Sequence, residues 1–150
     1  MAPLHVSDRI EVEAKTQNLQ KVREFLHAAI KRSALPTGDI NKVVLAVDEA
    51  VANTIQHGYH GREDGTVEVQ IEADAGKFTV RIIDSGDPYD SAKGVAGKAD
   101  LDLKNHIAAG SKRGLGLFIM RKVMDEVSYQ SRDGSKNVLT LTKYIKAPGA

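Results

Sequence analysis

Apolar residues recur along this chain with two periods, and the changes of period mark out its elements. Residues 4–14 carry Val6, Ile10 and Val12 among polar neighbours, which predicts a strand, interrupted near Asp8. Leu19, Val22, Leu26, Ala29 and Ile30 follow helical spacing and predict a helix over about 17–32, with Thr16 as its cap. Pro36, Thr37 and Gly38 break the chain. A second helix, capped by Thr37 or Asp39, then runs to about His57, with Val44, Val47, Val51 and Ile55 on one narrow face.

Strand periodicity takes over after Gly58, Gly61 and Gly65. Val67, Val69 and Ile71 alternate with polar residues, and Phe78, Val80 and Ile82 alternate with Thr79, Arg81 and Ile83. The turn Asp74-Ala75-Gly76-Lys77 joins the two in a hairpin. From Asp87 to Arg113 the pattern dissolves among Pro88, Gly94, Gly97 and Gly110, with weak helical spacing only over 101–109. A third helix opens at Gly114-Leu115-Gly116-Leu117 and uses Ile119, Met120, Val123 and Met124. Val127 and Tyr129 predict a short strand, Asp133-Gly134 a turn, and 138–145 a final strand followed by a frayed tail. Antiparallel strands with helices gathered on one face give an α+β two-layer sandwich with a mixed, mostly antiparallel sheet.

Composition narrows the classes. One hundred and fifty residues suit a single domain, 1–150, without internal repeats. Hydrophobic content of 41% and charged content of 27% are ordinary for a soluble chain. A net charge of +1 gives no bulk electrostatic case for direct nucleic-acid binding. The chain has no cysteine, which excludes disulfides and thiolate metal sites. No signal pattern and no apolar run of about 20 residues is present, so the expectation is a cytoplasmic protein away from the membrane.

The candidate chemistry lies in three places. Glu49, Asn53 and His57 are spaced i, i+4, i+8 and stack on a helix face roughly opposite the apolar one. Ala46 and Ala50 lie among them without bulk, so a carboxylate, an amide and an imidazole line a shallow floor with room for a ligand. Asp48 falls nearer the apolar side and has no account in the pattern. Alone, such a stripe is ordinarily a solvated face. Strand parity places Asp84 on the inward side with Phe78, Val80 and Ile82, where a carboxylate needs a partner. A structural aspartate is the commoner reading of that residue by itself. Gly114 and Gly116, at a helix start after a segment bearing Lys112 and Arg113, allow backbone N–H groups to approach an anion. Gly-x-Gly is otherwise only a tight turn. The long irregular segment between Asp84 and this helix reads equally as a functional lid or as a surface loop. His57 and His60 also make a possible metal pair, without a carboxylate cluster beside them.

In this order, Glu49-x-x-x-Asn53, Asp84-x-Gly86 and Gly114-x-Gly116 resemble the nucleotide-binding boxes of the GHKL ATPase superfamily, with its histidine-kinase-like ATPase fold. Within it the chain looks most like the small anti-sigma factors that are also serine protein kinases. Asp84-Ser85-Gly86-Asp87-Pro88-Tyr89-Asp90 carries Pro88 where many members have a second glycine, and is similar to the variant of the general-stress anti-sigma kinases. Met124-Asp125-Glu126-Val127 and Leu141-Thr142-Lys143-Tyr144-Ile145 also look like theirs.

The resemblance implies ATP and Mg²⁺ as cofactors. Asn53 would ligate the metal, Asp84 would accept a bond from the adenine amino group, and Gly86 would let the backbone come close. Lys112, Arg113, Gly114, Leu115 and Gly116 would hold the phosphates under a lid at about 87–113. Glu49 would be the general base, and His57 either lies beside the site or caps its helix. The partners implied are a sigma factor and a serine-bearing anti-sigma-factor antagonist, with a homodimer formed through the first strand and helix. Two other readings use the same residues: a non-catalytic nucleotide-regulated protein-binding module, and a small ATPase with water as nucleophile.

Overall fold

The computed structural model describes residues 5–58, 65–86, 113–131 and 136–145, with backbone alone at 57–58 and 113–117. Strand β1 (Val6–Glu13) leads through a 3-10 turn (Thr16–Asn18) into helix α1 (Leu19–Lys31). Helix α2 (Thr37–Asn53) continues into a π turn (Thr54–Gly58). The hairpin β2 (Thr66–Ala73) and β3 (Lys77–Asp84) follows, then α3 (Arg113–Val123), β4 (Glu126–Ser131) and β5 (Asn137–Tyr144).

The strands form a five-stranded sheet in the order β1-β2-β3-β5-β4. Every described pairing is antiparallel. Strand alternation sends Val67, Val69 and Ile71 of β2, Phe78, Val80 and Ile82 of β3, and Leu139 and Leu141 of β5 into one core. The helices supply Val22, Leu26, Val43, Val47, Val51 and Met120 to the same core. α1 packs on β1 and β2, α2 on β3 and β5, and α3 on α2 and β4. The expected two-layer α+β sandwich is therefore what forms. Among the described residues, no helix is long and apolar enough to cross a membrane.

Local details depart from the pattern in instructive ways. β1 is not interrupted at Asp8. That carboxylate accepts a bond of 2.6 Å from the Arg32 guanidinium just past α1, so a charge on the core-facing side of an edge strand is neutralised without breaking the strand. Thr16 does not cap α1; it opens the 3-10 turn, and Asn18 occupies the cap position without a side-chain cap bond. The Asn18 amide instead donates to the Glu13 carbonyl at 2.8 Å, tying helix entry to the strand end. Neither Thr37 nor Asp39 caps α2. Pro36 holds that position in extended conformation, and the Asp39 N–H bonds the Pro36 carbonyl at 2.9 Å. Proline's fixed φ presets the entry there.

Candidate functional site

The chain path brings the termini of several elements to one end of the sandwich. By register, Glu13 stands opposite Thr66, Val67 opposite Asp84, and Asp84 opposite Asn137. The end of β1, the start of β2, the end of β3 and the start of β5 therefore share that edge. α1 leaves from it, and the Arg32–Asp8 pair fixes the finish of α1 near the opposite end of β1. α2 returns antiparallel to α1 and delivers Glu49 and Asn53 toward the first edge. At the far edge the Lys143 ammonium donates to the Val123 carbonyl at 3.0 Å, and the Asp125 N–H bonds the Thr142 carbonyl at 2.9 Å. These bonds anchor the C-terminal end of α3 there. Its eleven residues, about 16 Å of helix, pack along α2 and put Arg113 at the end away from that anchor.

Asp84 has the partner that its inward position demands. Its Oδ1 accepts from the Asn137 amide at 2.9 Å and from the Gly86 N–H at 2.8 Å. The same Asn137 amide nitrogen donates to the Gly86 carbonyl at 2.8 Å, and its oxygen accepts from the Ser131 hydroxyl at 2.6 Å. Asn137 is 2% exposed, so this is a buried, satisfied network that closes the Asp84-Ser85-Gly86 turn. Burial pushes the Asp84 carboxyl above its ordinary value, and the Asn137 and Gly86 bonds oppose that rise.

The end of α2 is the opposite case. Asn53 is 7% exposed, yet its amide nitrogen has no hydrogen-bond partner among the described residues. Such a donor is costly to leave unpaired and calls for an acceptor. Glu49, one turn earlier and half-buried, likewise has no hydrogen bond or ion pair among the described residues. Thr54 follows, buried, with its hydroxyl donating to the Ala50 carbonyl at 3.0 Å. The helix then passes into the π turn that contains His57, whose side chain lies outside the described residues. Departures of this kind recur at functional sites.

One expectation for α2 is overturned. Ala46 and Ala50 do not form an open floor; both are fully buried. α2 packs against α3 as well as the sheet, and alanines permit that close approach. Burial thus wraps from Val47 round to Asn53, and only Glu49 keeps partial access among the polar stripe that is described. Asp48, unexplained by the pattern, pairs with the Arg23 guanidinium at 3.1 and 3.3 Å and ties α1 to α2.

Gly114, Leu115 and Gly116 fall within the first turn of α3, which begins at Arg113 rather than after the glycines. Lys112 and the segment 87–112, which holds nearly all of the expected lid, lie outside the described residues, as does His60. Among the described residues no cluster of three or more His, Cys, Asp or Glu side chains is disposed to hold a metal. Asn53 fits a different mode. Mg²⁺ commonly takes one or two protein oxygens and fills its shell with phosphates and water. The unpartnered Asn53 atom is its amide nitrogen, a donor that calls for an acceptor such as a phosphate oxygen; only the amide oxygen of the same side chain is of the type that Mg²⁺ takes. Asn137 and Ser131 are the residues that the sequence reading missed. The register that sets Asn137 opposite Asp84 was the available signal, but the last strand was expected to begin one residue later.

Residues 12–143 match the family described as the histidine kinase-like ATPase domain. The chain is 31% identical over 140 residues to the serine-protein kinase RsbW of Staphylococcus aureus (strain MRSA252), covering 91% of this chain and 86% of that protein. It is 29% identical to the RsbW of Bacillus velezensis, over 91% and 84% of the two chains. It is 28% identical to that of Listeria monocytogenes, over 97% and 91%.

Proposed function

This chain belongs to the histidine kinase-like ATPase family, and from that premise we propose that it is an ATP-dependent serine protein kinase and anti-sigma factor. It phosphorylates a serine-bearing anti-sigma-factor antagonist and sequesters a sigma factor in a partner-switching pathway. The kinase half of the reading draws support from relatives named as serine-protein kinases. The observation that carries it is the buried Asn53 amide nitrogen left without a partner among the described residues, with the Glu49 carboxylate one turn before it on the same helix.

Asp84 reads the adenine amino group through the carboxylate oxygen that its protein hydrogen bonds leave free. Gly86 keeps the turn low enough for the base to lie against backbone. The start of α3, with Arg113, Gly114, Leu115 and Gly116, faces the phosphates with unpaired N–H groups and a favourable dipole, and Lys112 adds charge beside it. The Asn53 amide oxygen would hold Mg²⁺, which when bound neutralises charge on the phosphate oxygens. Glu49 accepts the proton of the substrate serine as its oxygen bonds to the γ-phosphorus and the bond from that phosphorus to ADP breaks. His57 sits in the π turn beyond them and takes no step in this scheme. The segment about 87–113 covers the bound nucleotide. The protein acts as a single cytoplasmic domain and as a homodimer through β1 and α1.

Incubation with Mg-ATP and a candidate antagonist from the same genome, read by intact mass, tests this. A single phosphate on the antagonist, absent with Glu49→Ala, is expected. ATP binding with no phosphate on any candidate antagonist would favour the non-catalytic, nucleotide-regulated binding module.

A further inference from the structure

Asp84 Oδ1 and the Gly86 carbonyl are both acceptors, and neighbouring acceptors repel. Asn137 resolves the conflict by placing one N–H on each, at 2.9 and 2.8 Å. A flipped amide would set its own oxygen against both, so the orientation is dictated by the two acceptors. The amide oxygen then faces the Ser131 hydroxyl at 2.6 Å, which satisfies the last polar atom of a nearly fully buried side chain. Ser131 ends the edge strand β4 and is itself exposed. The carboxylate is thus held by one oxygen, from behind, by a chain of groups that reaches the surface on another strand.

We propose that Asn137 and Ser131 are specificity-determining positioning residues for the purine base. They fix Asp84 Oδ1 so that Oδ2 alone is presented to an exocyclic amino group, and so they set the preference for adenine over a 6-oxopurine without touching the nucleotide. This rests on the proposed assignment of Asp84 as the base-reading acid and adds to it two residues on β5 and β4. Loss of Ser131 leaves the Asn137 oxygen unpaired in a buried place, which loosens the amide and lets the carboxylate rotate. Loss of the Asn137 amide does more. With Asn137→Asp an acceptor faces Asp84 Oδ1 and the Gly86 carbonyl, and the turn opens.

The test is calorimetric titration of the full chain with ATP and with inosine triphosphate, which differ only at the 6-position and its ring nitrogen. The wild-type chain, Ser131→Ala, Asn137→Asp and Asp84→Asn are compared, with the melting temperature of each recorded. The wild-type chain is expected to prefer ATP. Ser131→Ala, at an exposed position, keeps its fold and loses about threefold of that preference, while Asn137→Asp loses about tenfold, approaching Asp84→Asn. A merely structural role would weaken both nucleotides alike and leave their ratio unchanged. An unchanged ratio in Ser131→Ala and in Asn137→Asp, with Asp84→Asn still abolishing it, overturns this inference alone. If Asn137→Asp does not fold, Ser131→Ala decides the matter by itself. A wild-type chain that binds the two nucleotides equally overturns the assignment of Asp84, and this inference with it.

Discussion

The two ends of the candidate site are built on opposite terms. At the β3–β5 end, Asp84, Gly86, Asn137 and Ser131 satisfy one another in a closed network. At the α2 end, the Asn53 amide nitrogen is buried without a partner and Glu49 has none either among the described residues. A network that is complete before a ligand arrives gives geometry, and so selectivity. A group left unpaired makes the empty state less stable and gives the ligand something to gain. Under the proposed function, the end that would take the base is already satisfied, whereas the end that would take the phosphates still holds groups without partners among the described residues.

The largest effect that would test this contrast is on turnover. Glu49→Ala is expected to lower phosphoryl transfer by about 10²–10⁴-fold, with ATP affinity and melting temperature little changed; wild-type turnover would remove its role as base. Next comes Asn53→Ala. Mg-dependent ATP affinity should fall by tenfold or more, about 1.4 kcal/mol or beyond, while the ligand-free protein stays within about 1 kcal/mol of wild type because an unsatisfied buried group has been removed. A large loss of ligand-free stability would place Asn53 in the closed kind of network instead.

Asp84→Asn sharpens the contrast through pH. The folded-state pKa of Asp84 lies above its unfolded value, chiefly through burial. The folded protein therefore holds the proton more tightly, and this contribution to stability is full below the ordinary value of 3.8. It is lost as pH rises through the raised folded value. Urea denaturation from acid to neutral pH should show Asp84→Asn gaining on the wild-type chain across that window, since the amide still accepts the Asn137 and Gly86 bonds. A variant that instead loses ground toward neutral pH would show the charge to be stabilising. The smallest effect is at Arg23, which is 41% exposed and bonded to Asp48. Arg23→Gln should cost under about 1 kcal/mol, as partly exposed ion pairs are screened.

Much of this molecule was legible because periodicity reports burial directly. Val67, Val69 and Ile71, then Phe78, Val80 and Ile82, alternate in the sequence and are buried in the fold. The inward position of Asp84 followed from the same parity. Features that depend on a second element were not legible. Ala46 and Ala50 read as an open floor because small residues are equally suited to a ligand and to a packed helix, and α3 decides which. Asp48 had no account until Arg23 came beside it from α1. Asn137 is an ordinary polar residue at a strand start until the register sets it across from Asp84. Thr16, Thr37 and Asp39 have the chemistry of caps, but the extended Pro36 and the 3-10 turn fix the helix entries first.

The Asn137–Asp84 bond joins residues fifty-three positions apart, and the β3–β5 ladder closes behind everything between them. Holding the ends of that excursion together is a loop-closure problem, and its entropy grows only with the logarithm of length. Doubling the excursion would cost about 0.6 kcal/mol. The sheet therefore tolerates wide changes in the length and composition of the segment it spans, while the pocket edge at Asp84 stays in register. A scaffold of this kind can rewrite one insert and leave the Asp84 carboxylate where it is.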